Sequence, residues 1–130
     1  MGKRTTSTEV TADTTLVTTA ETVIATLSDV STSRPGGTVR FRGEAKLTTG
    51  GSTTAVTLRV RRDSVSGTVV DESNAVTIEA AAGSTEDHDI QCDDSPSGEI
   101  FGATYVLTAQ QTGAAANGTA IYAYLAADCD

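Results

Sequence analysis

The one histidine of the chain sits in the run Glu86-Asp87-His88-Asp89-Ile90-Gln91-Cys92-Asp93-Asp94, where imidazole, thiol and carboxylates crowd together. These are metal-ligand types, and they would bind an ion only if they converged. A strand sends neighbours to opposite faces, so His88 and Cys92 point one way and Asp87, Asp89 and Asp93 the other. No second Cys-x-x-Cys or His-x-x-x-His completes a zinc set, and the Asp-x-Asp-x-Asp-Gly spacing of a calcium loop is missing. The run therefore reads as a solvated acidic strand and loop, without metal or cofactor. Nucleophilic catalysis fares no better, because His88 has no Gly-x-Ser-x-Gly elbow to serve as partner. A carboxylate pair for glycoside chemistry can be drawn from 17 acids, but such clefts are lined with rings, and only Phe41, Phe101, Tyr105, Tyr122 and Tyr124 are aromatic. No glycine-rich phosphate loop is present. The expectation is a protein that is not an enzyme.

Cys92 and Cys129 are the only cysteines. A disulfide between them would close a loop of roughly 36 residues and contribute about 3–4 kcal/mol on the chain-entropy view. The other reading is two thiols, and the sequence leaves both open. The start Met1-Gly2-Lys3-Arg4 runs straight into threonines, so no secretory leader is expected. Asn117-Gly118-Thr119 matches a glycosylation sequon, and Asn-Gly is equally a turn dipeptide between two expected strands.

The elements that would position these groups are strands. Threonine makes up roughly a fifth of the 130 residues, with valine, alanine, glycine and serine behind it. Threonine and valine are stiff at χ1 and favour strands. Residues 1–20 form a polar, Thr-rich stretch, expected as an extended N-terminal arm pinned by a neighbour through Thr5, Thr8, Val10, Leu16 and Val17. Residues 21–130 are expected as one antiparallel β-sandwich domain of seven or eight short strands, broken at Gly, Ser and Asp clusters. With so few rings, its core is thin enough to suggest burial against further copies.

The clearest pattern joins residues 39–47 to 56–61. Val39, Phe41, Ala45 and Leu47 alternate with Arg40, Arg42, Glu44 and Lys46, and Val56, Leu58 and Val60 alternate with Thr57, Arg59 and Arg61. A hairpin turn at Gly50-Gly51 would pair Ala45 with Val56, Gly43 with Leu58 and Phe41 with Val60. That register also sets Arg40 opposite Arg61 and Arg42 opposite Arg59, and like charges facing across a sheet repel. Five of the seven arginines lie here once Arg62 is counted. Either a neighbouring strand supplies acids such as Glu79, Glu44 or Asp71, or an acidic partner surface docks on Arg40, Arg42, Arg59 and Arg61. The net charge of −8 argues against nucleic acid or an anionic membrane as that partner. No apolar run approaches the ~18 residues of a membrane helix.

The Thr-rich arm (Thr5–Thr19), the segment TVRFRGEAKLTTGGSTTAVTLRVRRDS and the closing YVLTAQQTG…NGTAIYAYLAAD resemble the small jelly-roll decoration and minor head proteins of tailed bacterial and archaeal viruses. The resemblance implies an all-β sandwich of jelly-roll type. It also implies a virion location after assembly in the host cytoplasm, a trimer on the shell lattice, and contacts with the major capsid protein or other virion subunits. The expected function is that of a capsid decoration or cement protein. The alternative is a carbohydrate- or cell-surface-binding module of a tail fibre or appendage, with its pocket in the loops Asp93–Gly98 or Gly113–Gly118.

Overall fold

The structure is a computed structural model that describes residues 4–17, 19–32, 36–48, 53–78, 85–95, 100–112 and 118–129. Among them are ten strands and no helix. They are β1 (Arg4–Val10), β2 (Thr14–Leu16), β3 (Glu21–Val30), β4 (Val39–Thr48), β5 (Thr54–Arg62), β6 (Val69–Glu72), β7 (Val76–Ile78), β8 (Thr85–Asp94), β9 (Ala103–Thr112) and β10 (Gly118–Cys129). The first sheet runs β1-β10-β4-β8, with β2 also on β10. The second runs β3-β9-β5-β6, with β7 also on β5. All pairings are antiparallel. Since β1 and β2 share one edge of β10, and β6 and β7 one edge of β5, ten strands fill eight positions. Taken in chain order, those positions follow the winding of a jelly roll.

Two expectations change. The pairing of β4 with β5 does not occur, because β4 lies between β10 and β8 in the first sheet and β5 between β9 and β6/β7 in the second. The inward faces are nevertheless those expected, with Val39, Phe41, Ala45, Leu47, Val56, Leu58 and Val60 all buried. A strand pair that arches between two sheets buries the same alternating residues as a hairpin, so the apolar pattern does not separate the two. The repulsion between arginines does. In the observed register Arg40 lies between Asp93 and Asp128, and Arg59 lies beside Glu72. The expected turn at Gly50-Gly51 lies outside the described residues.

The N-terminal stretch is the second correction. β1 pairs with β10 over seven residues, from Arg4↔Cys129 to Val10↔Ala123, and β2 pairs with the start of the same strand. Thr8 and Val10 share the inward face with their partners Leu125 and Ala123, Val10 packs against the core, and Leu16 is fully buried. The stretch expected to reach onto a neighbour is thus the first position of the jelly roll, and three of its expected contact residues are turned into their own sandwich. β10 needs a hydrogen-bonding partner on that side, and the threonines supply a strand with little side-chain bulk.

The core consists of small aliphatic side chains around one ring pair, Phe41 of the first sheet and Tyr105 of the second, with centroids 4.5 Å apart. Close approach of the sheets compensates for the lack of bulk. A Cβ on Gly43, at the middle of β4, would stand 3.0 Å from both Ile90 Cγ2 and Leu107 Cδ1. Gly43→Val is therefore expected to overpack this point and cost about 1–3 kcal/mol. Leu16→Ala is expected to cost about 2–5 kcal/mol, and removal of residues 1–17 to abolish the cooperative thermal transition. Calorimetry checks all three.

Candidate interaction surface

The four arginines expected to form one stripe are divided between opposite outer faces. On the second sheet, Glu21 of β3 collects two of them. Its carboxylate accepts hydrogen bonds from Arg61 Nε (2.6 Å) and Nη2 (2.8 Å), from Arg59 Nη1 (3.3 Å) and from the Thr108 hydroxyl (2.5 Å). Arg59 also donates to Gln110 (2.6 Å) and Glu72, and Arg61 to the Gly67 carbonyl (2.7 Å). Both guanidinium groups are largely covered, at 17% side-chain exposure. Arg59 and Arg61 are therefore engaged in holding β3, β9, β5 and β6 together. The acids that neutralise Arg59 and Arg61 are Glu21 and Glu72; of those expected, Glu44 lies 3.7 Å from Arg42 on the other sheet, and Glu79 lies outside the described residues.

Arg62, at the end of β5 and partly exposed, reaches across the rim instead. It makes a paired contact with Asp94 of the other sheet (Nε–Oδ2 2.8 Å, Nη2–Oδ1 2.5 Å), and the Tyr105 hydroxyl donates to the same carboxylate at 2.8 Å. Burial raises the Asp94 carboxyl, but the hydrogen bonds from Arg62 and Tyr105 and the Arg62 charge outweigh it and hold it below the ordinary value. Glu21 is lowered likewise, against its burial, by Arg61 and Thr108 and the charges of Arg61 and Arg59.

His88 is buried on the inner side of β8. A carbonyl only accepts, so Nε2–H donates to Asn74 O (3.1 Å), with Ser73 Oγ at 3.0 Å. Burial pushes its pKa down, opposed in part by the Asn74 carbonyl and the Asp89 charge. Among the described residues no three His, Cys, Asp or Glu side chains come together as a metal site. Cys92 faces Phe41 on one side of β4, and Cys129 flanks Val39 on the other. Two strand spacings of about 4.8 Å separate their strands, beyond the reach of a disulfide. Burial pushes the Cys92 thiol up to about 12, which leaves it unreactive.

The outer face of the first sheet is different in kind. Its registered rows are Thr5, Asp128, Arg40 and Asp93, then Ser7, Ala126, Arg42 and Gln91, then Glu9, Tyr124, Glu44 and Asp89, then Tyr122, Lys46 and Asp87. Thr5 donates to Asp128 (2.7 Å), and Arg42 lies 6.0 Å over the Tyr124 ring and 3.7 Å from Glu44. An extra residue at Ile121 breaks the register between Ala120 and Tyr122, beside a cleft of about 620 Å³ lined in part by Glu44, Lys46, Asp87, Asp89, Ile121 and Tyr122. A smaller hollow of about 370 Å³ lies beside Arg42, Gln91 and Tyr124. This face therefore keeps Arg40, Arg42 and Thr5 of the expected contact set. Val17 is 54% exposed beyond the end of β2, and Phe101, 79% exposed, is the most exposed large apolar side chain described. Tyr122 and Tyr124 were legible as an i, i+2 pair on one face of an expected strand, whereas the acids beside them come from strands remote in sequence. The loops expected to hold a glycan pocket lie mostly outside the described residues.

The chain is similar in structure to the VP2 subviral particle of infectious bursal disease virus (TM-score 0.66, 11% identity, 98% of this chain and 32% of that one). It is similar also to the T13 viral particle of the same virus (TM-score 0.64, 9% identity, 98% and 31%). The likeness is one of fold. This chain spans about a third of the length of those chains. No family model and no curated protein matches the sequence.

The ion pairs set the acid response. Above the ordinary carboxylate range Glu21 and Asp94 contribute fully, and the contribution is lost as pH falls through their lowered folded values, below about 4. His88 adds an earlier decline, starting near its unfolded value of about 6.5 and running downward, because the unfolded chain takes up the proton first. Glu21→Gln with Asp94→Asn is expected to remove the decline below pH ~4 and to cost about 2–3 kcal/mol for Asp94→Asn at neutral pH. Denaturant titrations across pH check this.

Proposed function

We propose that this chain is a non-enzymatic structural protein of a virion, a jelly-roll module that decorates the shell and cements contacts between capsid subunits. The observation that carries the reading is the eight-position jelly-roll order, shared over 98% of the chain with a viral capsid protein. The chemistry of the described residues supports it. His88, Cys92, Glu21, Asp94 and Arg62 are all engaged in packing or in ties between strands. In this reading the protein assembles as a trimer with the shell subunits as partners, in the host cytoplasm, and needs no cofactor.

In this reading the first strand, which completes its own sheet, is not the arm that reaches those partners. Contact falls instead to side chains left outside the fold. Phe101 is the foremost, a rigid ring at one end of the sandwich beside the half-buried Ile100. Exposed rings are where association energy concentrates when a partner excludes water from them.

Light scattering on the full chain is expected to give three times the monomer mass, and the chain is expected to sediment with empty shells. Phe101→Ser is expected to weaken sedimentation at least about tenfold while leaving the thermal transition in place. A monomer that fails to sediment with shells would overturn the reading.

A further inference from the structure

The outer face of the first sheet has features that its own packing does not require. Two of the three tyrosines, Tyr122 and Tyr124, stand on it one row apart, about 7 Å along the strand. Each ring has a partner on this face: the Tyr122 hydroxyl donates to Glu9 (3.0 Å), and the Arg42 guanidinium lies 6.0 Å over Tyr124. On either side are the two depressions, about 620 Å³ at Tyr122 and about 370 Å³ at Tyr124. Both are within the ~300–1,000 Å³ of small-ligand sites. The bulge at Ile121 borders the larger one, and bulges next to functional sites re-aim side chains.

The charges restrict what this furrow can take. Glu9, Glu44, Asp87 and Asp89 surround the Tyr122 end with Lys46 as the cation lining that cleft, so phosphates, nucleic acid and acidic sugars are repelled. A charged side chain in each row makes an apolar protein surface a poor match. Against a basic protein surface, the other complement of these acids, the two rings and the two depressions favour a ligand with apolar faces to lie on rings and many hydroxyls to donate to carboxylates and accept from Lys46, Arg42 and Gln91. That is the chemistry of a neutral carbohydrate.

We propose that the outer face of the first sheet binds a neutral glycan lengthwise, from the hollow at Arg42 and Tyr124 to the cleft at Tyr122 and Ile121. Tyr122 and Tyr124 bear the sugar rings, and Glu44, Asp87, Asp89 and Lys46 hold the hydroxyls. The site is on the flat of the sheet and not in the end loops. It stands apart from the shell contact at Phe101, so either assignment can fail without the other.

The test is affinity electrophoresis of the full chain through gels containing soluble neutral polysaccharides: mixed-linkage β-glucan, xylan, mannan and dextran. The chain is expected to be retarded by at least one of them, to a similar extent at low and high salt. Tyr122→Ala is expected to weaken that retardation at least about tenfold, Tyr122→Phe to retain it, and Phe101→Ser to leave it unchanged. Asp89→Asn, at an exposed position that packs against nothing in the core, is expected to weaken it also and covers the case in which Tyr122→Ala does not fold. Migration unaffected by every polymer overturns the proposal. So does retardation that neither Tyr122→Ala nor Asp89→Asn alters, or salt-sensitive binding of polylysine with no binding of a polysaccharide.

Discussion

Two sheets of small side chains need something to fix them face to face, and in this protein it is the contact of Arg62 and Tyr105 with Asp94. Arg62 and Tyr105 come from the second sheet and Asp94 from the edge strand of the first. Tyr105 also packs its ring on Phe41, so one side chain carries both the aromatic contact and a hydrogen bond across the sandwich. The carboxylate is buried and receives three hydrogen bonds, which is what keeps a charge at that depth from costing more than it returns. At the other strand ends the same role falls to His88 against Asn74 and to Gln111, whose side-chain oxygen accepts the Gly118 amide at 2.7 Å. Directional polar ties at the rim and close sheet approach at Gly43 together replace the bulk that a ring-rich core would supply.

The same constraint accounts for what the sequence did and did not reveal. Burial of alternate residues was legible throughout, since Val39 to Leu47 and Val56 to Val60 had only one apolar side to turn inward. Pairing was not legible from that pattern, because a hairpin and an arch between sheets bury identical residues. The arginines held the missing information. Arg40 against Arg61 and Arg42 against Arg59 was an unfavourable register, and the chain resolves it by placing β4 between acid-bearing β8 and β10 and β5 within reach of Glu21. Glu21 lies some 40 residues away in sequence from Arg61, and nothing local marks it as the partner.

The N-terminal stretch failed for a related reason. Its threonines have the composition of a solvated tail, and strand propensity alone does not distinguish a tail from an edge strand. Leu16, expected to meet a neighbour, sits in the core of its own sandwich. The interaction surface divides along the same lines. The second sheet's outer face uses its charges internally. The first sheet's outer face, with Tyr122, Tyr124 and an irregular strand between them, keeps polar groups turned to solvent.

The pairing of β4 supports every one of these conclusions, and cross-strand nuclear Overhauser effects between backbone protons test it directly. The structure predicts contacts from Ala45 to both Ala123 and His88 and from Phe41 to both Ala127 and Cys92. Contacts of Ala45 with Val56 and of Phe41 with Val60 in place of these would mean a hairpin, and would contradict the jelly-roll order, the dispersal of the arginines and the face that Tyr122 and Tyr124 share.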